Sequence, residues 1–263
     1  APVDNKGFVD VKALADLIRP DTTLVSVMAV NNEIGSVQPI EAISELLADK
    51  PTISFHVDAV QALAKIPTEK YLTERVDFAT FSSHKFHGVR GVGFVYIKSG
   101  KKITPLLTGG GQERDYRSTT ENVAGIAATA KALRLSMEKL GFFTSKTGQM
   151  KAVIRQALLD YPDIFVFSDE EDFAPHILTF GIKGVRGEVI VHAFEDYDIF
   201  ISTTSACSSK AGKPAGTLIA MGVDKDKAQS AVRLSLDLEN DMSQVEQFLT
   251  KLKLIYNQTR KVR

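Results

Sequence analysis

Short apolar runs alternate with amphipathic stretches along the first half of the chain. The apolar runs predict strands over 23–30, 53–57, 76–81 and 92–97, and the stretches between them predict helices over 39–48 and 59–65. Pro39 falls in the first turn of one helix. Backbone N–H groups have no partner within the helix there, so proline, which lacks this group, is tolerated. This alternation is typical of βαβ units, so we predict a mostly parallel sheet with helices on its faces.

The second half of the chain has a different pattern. A stretch rich in Ala, Leu and Lys predicts a long helix over 122–140, which Gly141 is expected to end. Beyond it the pattern predicts helices over 144–159, 187–196 and 243–256, strands over 176–182 and 231–236, and one further short strand. We therefore predict two domains, a mostly parallel α/β domain at 1–141 and a smaller α+β domain at 142–263.

Charge and cysteine content narrow the classes of function. Lys and Arg together number 32, as do Asp and Glu, so no overall basic field favours nucleic acid or an anionic membrane. No apolar run approaches the ~20 residues of a membrane-spanning helix, and the first residues lack a signal-peptide pattern. The single cysteine, Cys207, excludes an internal disulfide framework and a multi-cysteine metal site. It fits a reducing, cytoplasmic setting.

Polar residues cluster where the predicted parallel strands end. Asn31, Asn32 and Glu33 follow the first strand, Asp58 and Gln61 follow the second, and the run 82–85 (SSHK) follows the third. In open α/β sheets, ligands bind outside the carboxyl ends of the strands. Three such clusters in succession predict one pocket.

The residue types in these clusters indicate pyridoxal phosphate (PLP). A charged Asp58 at the end of an apolar strand is poorly solvated and needs a hydrogen-bonding or cationic partner. Taken alone, Asp58 is better explained as the N-cap of the next helix. Lys85 taken alone is a surface lysine, the usual place for this residue type. Beside Ser82 and His84, which can donate to a phosphate, Lys85 can instead form a Schiff base. Asp58 then suits the pyridine nitrogen of the cofactor.

Several motifs together resemble one family. They are VNNEIG at 30–35, HVDAVQ at 56–61, SSHK at 82–85, GGGQER at 109–114, RSTTEN at 117–122 and SACSS at 205–209. In order and spacing they resemble the cysteine desulfurases, which belong to the class V aminotransferase group of fold-type I PLP enzymes. The resemblance covers nearly the whole chain. It implies an α/β PLP-dependent transferase fold of type I, with an incomplete large domain followed by a small α+β domain.

The resemblance assigns cofactor roles to four of these residues. It implies that Lys85 carries PLP as a Schiff base and later moves protons, and that Asp58 pairs with the pyridine nitrogen. Gln61 matches a hydrogen-bond donor to the phenolic oxygen of the cofactor. Asn32 matches a residue near that oxygen and near the substrate carboxylate. No metal is implied.

Four further positions match family residues that bind phosphate or substrate. Ser82 and His84 match phosphate ligands, and His84 is also counted among the catalytic groups. Thr120 matches a residue that reaches the phosphate of the neighbouring subunit, which implies a homodimer. Arg233 matches the arginine that holds the substrate carboxylate, a task that suits its planar fork of donors.

Cys207 distinguishes among the reactions of this family. A lone cysteine is often a small buried apolar residue, but Cys207 stands in a polar run with Lys210 and Lys213 nearby, which favour the reactive thiolate. The resemblance implies that the thiolate takes sulfur from L-cysteine as a persulfide and releases L-alanine. The sulfur then passes to an acceptor protein, either an iron–sulfur scaffold or a tRNA-thiolating enzyme.

The sequence also departs from the family and leaves alternatives open. Family chains begin with a further portion that supplies a phosphate-binding threonine and a histidine stacked on the cofactor, so we expect a sheet that lacks strands and exposes apolar surface. Asp237 stands where many relatives have glycine, so the sequence does not predict the family's turn conformation at this position. One alternative is a selenocysteine lyase or another class V PLP lyase or aminotransferase. The other is a truncated, non-catalytic chain that serves dimerisation or docking.

Overall fold

The computed structural model describes residues 1–169, 171–204 and 216–261, and the chain divides into two compact units. The parallel-sheet unit comprises 20–29 and 40–140, and the antiparallel-sheet unit comprises 1–19, 30–39 and 141–263. The division after residue 140 lies next to the predicted boundary at 141. The segments 1–19 and 30–39, however, pack with the C-terminal unit rather than with the predicted N-terminal domain.

The parallel-sheet unit is built on four strands in the order β1-β2-β3-β4. The strands are β1 (Leu24–Met28), β2 (Ser54–Asp58), β3 (Phe78–Ser82) and β4 (Gly93–Ile97). The first three are parallel, and β4 runs antiparallel to β3. Along β2, Phe55 and Val57 are buried while His56 and Asp58 on the opposite face are half-buried, as the period of two in a strand dictates. One face of the sheet is therefore apolar, and the other carries the polar residues.

Helices α2 (Ile40–Leu46) and α3 (Val123–Glu138) and two 3₁₀ turns (Thr68–Lys70 and Ser83–Phe86) complete this unit. Helix α3 begins where Asn122 accepts the Gly125 N–H at 3.0 Å, as an N-cap does. Apolar side chains are exposed on the unit, among them Leu106 at 95% and Val123 at 71%.

Two predictions about this part of the chain are wrong. The segment 59–65 forms consecutive turns instead of a helix, because Ala64 has a φ of 58°, a left-handed conformation that interrupts a right-handed helix. Gly141 does not end a helix: α3 stops at Glu138, and α4 (Leu140–Leu159) already contains Gly141. The end of α3 needs no left-handed glycine, since Lys139 with φ −101° forms its C-cap.

The antiparallel-sheet unit has the strand order β5-β6-β8-β7. These strands are β5 (Ile164–Val166), β6 (Ile177–Ile182), β7 (Ser202–Thr203) and β8 (Ala231–Ser235), and every pairing is antiparallel. All six residues of β6 are buried, which explains why its sequence is continuously apolar rather than alternating. Strand β5 was not predicted from the sequence.

The helices of this unit cover the sheet and form its core. They are α1 (Val11–Leu17), α4, α5 (Gly187–Glu195), α6 (Gly216–Ala220), α7 (Lys225–Gln229) and α8 (Met242–Lys261). Phe194 of α5 stacks on Phe248 of α8 with ring centroids 4.9 Å apart. Among the described residues, no helix is long and apolar enough to cross a bilayer.

A second apolar cluster explains why 1–19 and 30–39 belong to this unit. Ile34 is fully buried against Leu218 and Met221, and Val3 and Phe8 pack on the same cluster. A Cβ at Gly7 (φ 80°) would lie 2.5 Å from Ile34 Cδ1, so glycine permits this close approach. These contacts join segments about 200 residues apart. The pattern of apolar residues along the chain does not reveal contacts over such a distance.

Candidate cofactor and substrate site

The predicted cofactor residues of the parallel-sheet unit follow the carboxyl ends of β2 and β3. Asp58 is the last residue of β2 and lies in register with Met28 of β1 and Thr80 of β3. Its Oδ1 accepts the N–H of Val60 at 3.0 Å. Asp58 thus caps a turn, as an N-cap would, although no helix follows. In the described part of the chain no hydrogen bond reaches its Oδ2, so this oxygen can accept a hydrogen bond from a ligand.

The turn that carries Lys85 is fixed to helix α3. Strand β3 ends at Ser82, and the 3₁₀ turn Ser83–Phe86 follows directly. The Ser83 and Thr129 hydroxyl oxygens lie 2.9 Å apart, and the Ser136 hydroxyl donates to the carbonyl of Phe86 at 3.1 Å. Phe86 itself is buried. Both ends of the turn are therefore held, and Lys85 is presented from a rigid segment.

Gly88 completes this turn. Its N–H donates to the carbonyl of Ser83 at 2.9 Å, and a Cβ at this position would lie 1.9 Å from Ser83 Oγ. His87 before it adopts the left-handed conformation with φ 66°. Any other residue at 88 would force the Ser83 hydroxyl out of its position beside Thr129.

Four more of the predicted cofactor residues lie in the same unit, whereas Asn32 lies in the antiparallel-sheet unit. Gln61 is half-buried in the turns after β2, Ser82 is half-buried at the end of β3, and His84 is exposed. Thr120 is exposed in the loop before α3. The structure thus brings Asp58 and Ser82 to one edge of the sheet, with Gln61, His84 and Lys85 in the segments that follow. Their roles toward PLP stay predictions.

The two predicted substrate residues meet in the antiparallel-sheet unit. Arg233 lies in β8, opposite Thr179 of β6 and Ser202 of β7. Its NH1 donates to the main-chain carbonyl of Asn32 at 2.7 Å. The contact therefore involves the backbone of Asn32 and leaves the role of its side chain a prediction. The turn after β8 forms with Asp237, whose N–H donates to Asn240 Oδ1 at 2.9 Å.

Cys207 lies outside the described residues, as do the motif SACSS at 205–209 and both nearby lysines. The nearest described elements are β7 before them and α6 after them. The predicted role of Cys207 as nucleophile therefore stays a prediction.

His56 is a residue that the sequence reasoning did not single out. Its Nδ1 lies 2.7 Å from the hydroxyl oxygen of Ser26, and its Nε2 lies 3.1 Å from that of Thr80. The imidazole thus joins three adjacent strands on the face that carries Asp58. Burial lowers the pKa of His56, and the Asp58 carboxylate offsets this only in part. The spacing of two residues from Asp58 along a strand was the available clue.

The lowered pKa of His56 predicts a pH dependence of stability. Below its unfolded pKa of about 6.5, the unfolded chain binds a proton at His56 more readily than the folded chain does. The neutral imidazole therefore stabilises the fold fully above about pH 6.5, and this contribution is lost as the pH falls toward the folded pKa. Denaturant unfolding of H56Q from pH 7 to 5 should show a smaller decline in free energy than the original chain. Equal declines would contradict the prediction.

Comparison with known proteins identifies the family of the chain. A sequence model of the family described as "Aminotransferase class-V" matches residues 1–248. The chain belongs to the class-V aminotransferase family. Class-V aminotransferases and their cysteine desulfurase relatives are PLP enzymes, so the predicted family and cofactor are confirmed. The residue types at 58, 82 and 85 in this class-V chain fit that cofactor.

The curated relatives of this class-V chain are cysteine desulfurase homologues. A NifS/IcsS protein homolog of Lactobacillus delbrueckii subsp. bulgaricus is 50% identical over 262 residues, which cover 99% of this chain and 68% of the relative. The cysteine desulfurase IscS of Clostridium botulinum strain Hall is 38% identical over 264 residues, covering 99% and 66%. The chain thus spans about two thirds of the length of these relatives.

Solved structures confirm the predicted fold of this class-V chain. A NifS-like protein superposes with a TM-score of 0.88 at 36% identity, covering 97% of this chain and 67% of the other. The NifS-like protein of Rickettsia africae ESF-5 gives 0.87 at 29% identity, covering 97% and 69%. The predicted α/β fold of PLP-dependent transferases of type I is therefore confirmed.

Proposed function

We propose that this chain carries the catalytic residues of a PLP-dependent cysteine desulfurase, which converts L-cysteine to L-alanine and holds the sulfur as a persulfide on Cys207. The observation that carries the proposal is the position of Asp58 and of the Lys85 turn, both at the carboxyl ends of neighbouring parallel strands. The cysteine desulfurase relatives support the same reaction class.

Each side chain has a distinct task toward the cofactor. Bound PLP supplies an electron sink for the negative charge that develops at the substrate α-carbon. The Asp58 carboxylate would hold a proton at the pyridine nitrogen, and its Oδ1 accepts the Val60 N–H. The Lys85 amine would hold the cofactor covalently and would move protons at the substrate. Ser82 and His84 would donate to the phosphate, and Gln61 would donate to the phenolic oxygen. Thr120 would reach the phosphate of a second subunit.

Arg233 and Cys207 act on the substrate. The Arg233 guanidinium, held by the carbonyl of Asn32, binds the carboxylate of L-cysteine. The Cys207 thiolate attacks the substrate sulfur, so that a sulfur–sulfur bond forms and the carbon–sulfur bond breaks. The electron pair of that bond stays with the carbon, which takes up a proton and leaves as L-alanine. A related SspA structure, 25% identical with a TM-score of 0.73, is a complex with cysteine.

The partners of the reaction are part of the proposal. The persulfide sulfur passes to a thiol of an acceptor protein, either an iron–sulfur scaffold or a tRNA-thiolating enzyme. The working form is a homodimer because Thr120 serves the neighbouring subunit. A cytoplasmic setting suits a free thiolate, since reducing conditions preserve it.

Replacing Cys207 by serine tests the proposal. With PLP and L-cysteine, the original chain should release alanine and gain one sulfur on Cys207, measured by mass spectrometry of the intact protein. C207S should gain no sulfur and still bind PLP, because the hydroxyl is far less nucleophilic than a thiolate. S205A is the matched control and should behave as the original chain.

Three outcomes would contradict the desulfurase assignment. Sulfur transfer by C207S would remove Cys207 from the mechanism. Turnover of selenocysteine without persulfide formation from L-cysteine would favour a selenocysteine lyase. A chain that binds no PLP would favour a non-catalytic docking role.

A further inference from the structure

One turn of the antiparallel-sheet unit accepts a side-chain hydrogen bond at each of three consecutive main-chain carbonyls. The turn is 32–34, and the donors come from β8, from β6 and from the segment that follows β5. The hydrogen bonds are those of Arg233 NH1 to Asn32 at 2.7 Å, of the Thr179 hydroxyl to Glu33 at 2.6 Å and of the Ser168 hydroxyl to Ile34 at 2.5 Å. The turn is therefore held along its whole length.

Thr179 lies beside the proposed substrate-binding arginine. Thr179 of β6 and Arg233 of β8 are directly opposite each other in an antiparallel pairing. Side chains at such positions stand on the same face of a sheet. Thr179 is fully buried, whereas Arg233 is half-buried. The turn 32–34 is therefore bound to this face by two neighbouring side chains, of which the threonine is the shorter and the more buried.

Ser168 connects Thr179 to the same turn a second time. The Ser168 hydroxyl oxygen accepts the N–H of Thr179 at 2.9 Å, while its proton is donated to the carbonyl of Ile34. Ser168 is 1% exposed. The Thr179 side chain is β-branched, which restricts rotation about its χ1 angle in a strand. The hydroxyl of Thr179 is thus a buried donor with a fixed direction.

The hydrogen bond at Asn32 restricts how Arg233 is oriented. A guanidinium is a planar fork of N–H donors, so a bond from one nitrogen limits the directions of the others. Binding of a carboxylate by two parallel N–H groups depends on that orientation. The carbonyl of Asn32 precedes the carbonyl of Glu33 by one residue, and Thr179 holds the latter. Loss of the Thr179 bond would therefore release the acceptor that orients Arg233.

We propose that Thr179 is a positioning residue for substrate binding, which holds the turn 32–34 so that the Asn32 carbonyl orients Arg233 toward the carboxylate of L-cysteine. The inference rests on the proposed desulfurase function, in which Arg233 binds that carboxylate. Thr179 acts only through Arg233. Removal of its hydroxyl therefore weakens the binding of ligands that carry a carboxylate, and of those alone.

The test measures the binding of two amines to the PLP-loaded chain through the absorbance of the cofactor. One is L-alanine, the proposed product, and the other is ethylamine, which is L-alanine without its carboxylate. T179V keeps the shape of the side chain without its hydroxyl and should lower the affinity for L-alanine about ten-fold, as expected for one lost buried hydrogen bond. The affinity for ethylamine should not change. In turnover of L-cysteine, KM should rise by a similar factor while kcat stays nearly constant.

Three further variants show whether the effect is specific. T179S keeps the hydroxyl and should keep most of the affinity for L-alanine. T250V makes the same substitution at an exposed threonine of α8, whose hydroxyl donates to the carbonyl of Glu246 at 2.9 Å, and should match the original chain. R233A should already bind L-alanine weakly. Adding T179V to R233A should lower this affinity no further, because a residue that acts through Arg233 has no effect without it.

Hydrogen exchange of the cofactor-free chain reports on the turn directly. The amides of Glu33 and Ile34, which donate to Asn31 Oδ1 at 2.8 and 3.0 Å, should exchange faster in T179V and at the original rate in T179S. Unchanged exchange in T179V would overturn the proposal. So would an equal loss of affinity for L-alanine and for ethylamine, or a further loss when T179V is added to R233A.

These measurements separate the inference from the function on which it rests. If R233A lowers the affinity for L-alanine and T179V does not, only the role of Thr179 fails. If R233A leaves that affinity unchanged, or if the original chain binds no PLP, the proposed substrate site fails and the role of Thr179 fails with it.

Discussion

Replacing Lys85 by alanine is expected to abolish the covalent attachment of PLP and to lower L-cysteine turnover by at least about 10²–10⁴-fold, the range for loss of a positioned acid–base group. Lys85 is both the proposed attachment point and the proposed proton carrier. Borohydride treatment with PLP, followed by peptide mass spectrometry, should map an adduct to Lys85 in the original chain. K85A should show no adduct.

Two further variants sharpen this test. K85R keeps the positive charge but removes the nucleophilic amine, so it should also lose the adduct. K102A removes an exposed lysine of the same unit and should keep both the adduct and turnover. An adduct at another lysine in K85A, or turnover near that of the original chain, would show that the assignment of Lys85 is wrong.

Replacing Asp77 by asparagine is expected to lower the free energy of unfolding by about 3–5 kcal/mol, because it removes one partner of a buried ion pair. This is the largest effect on stability that we predict. Asp77 is 2% exposed. Its Oδ2 accepts from Arg75 NH1 at 2.8 Å and from the Phe55 N–H at 2.9 Å, and Oδ1 lies 3.2 Å from the Lys101 ammonium. D77N should therefore unfold at a clearly lower denaturant concentration than the original chain.

The effect of Asp77 should depend on pH. Burial alone would raise its pKa, but the Phe55 N–H, Arg75 and Lys101 outweigh burial, so the pKa is lowered. The charged carboxylate therefore stabilises the fold fully above the unfolded pKa of about 3.9, and this contribution is lost as the pH falls through the folded pKa. The difference between D77N and the original chain should shrink in acid.

An exposed acidic residue provides the control for Asp77. Asp49 pairs with Lys50 at 2.6 Å, but its side chain is 80% exposed. Water and salt screen such a pair, so D49N should change stability little. A D77N chain as stable as D49N would show that the buried cluster does not hold β2 and β3 together.

Local patterns of residues were enough to predict the parts of the fold that depend on neighbouring residues. Short apolar runs placed β1, β2 and β3 to within two residues, because a strand that packs in a sheet is a short apolar stretch of the chain. The motifs at 56–61 and 82–85 were recognisable because each is contiguous and lies at the end of a strand. Family, fold and cofactor could therefore be predicted before any contact was known.

Features that join distant segments became visible only in the folded chain. The turn 31–33 contacts both Arg233 and Thr217, and 1–19 packs with residues of the C-terminal unit. Ala64 takes a left-handed conformation within a stretch whose pattern is helical. Such features arise from packing and hydrogen bonds between groups far apart in sequence. The hydrophobic pattern indicates which side chains are buried, but it does not indicate which residues they contact.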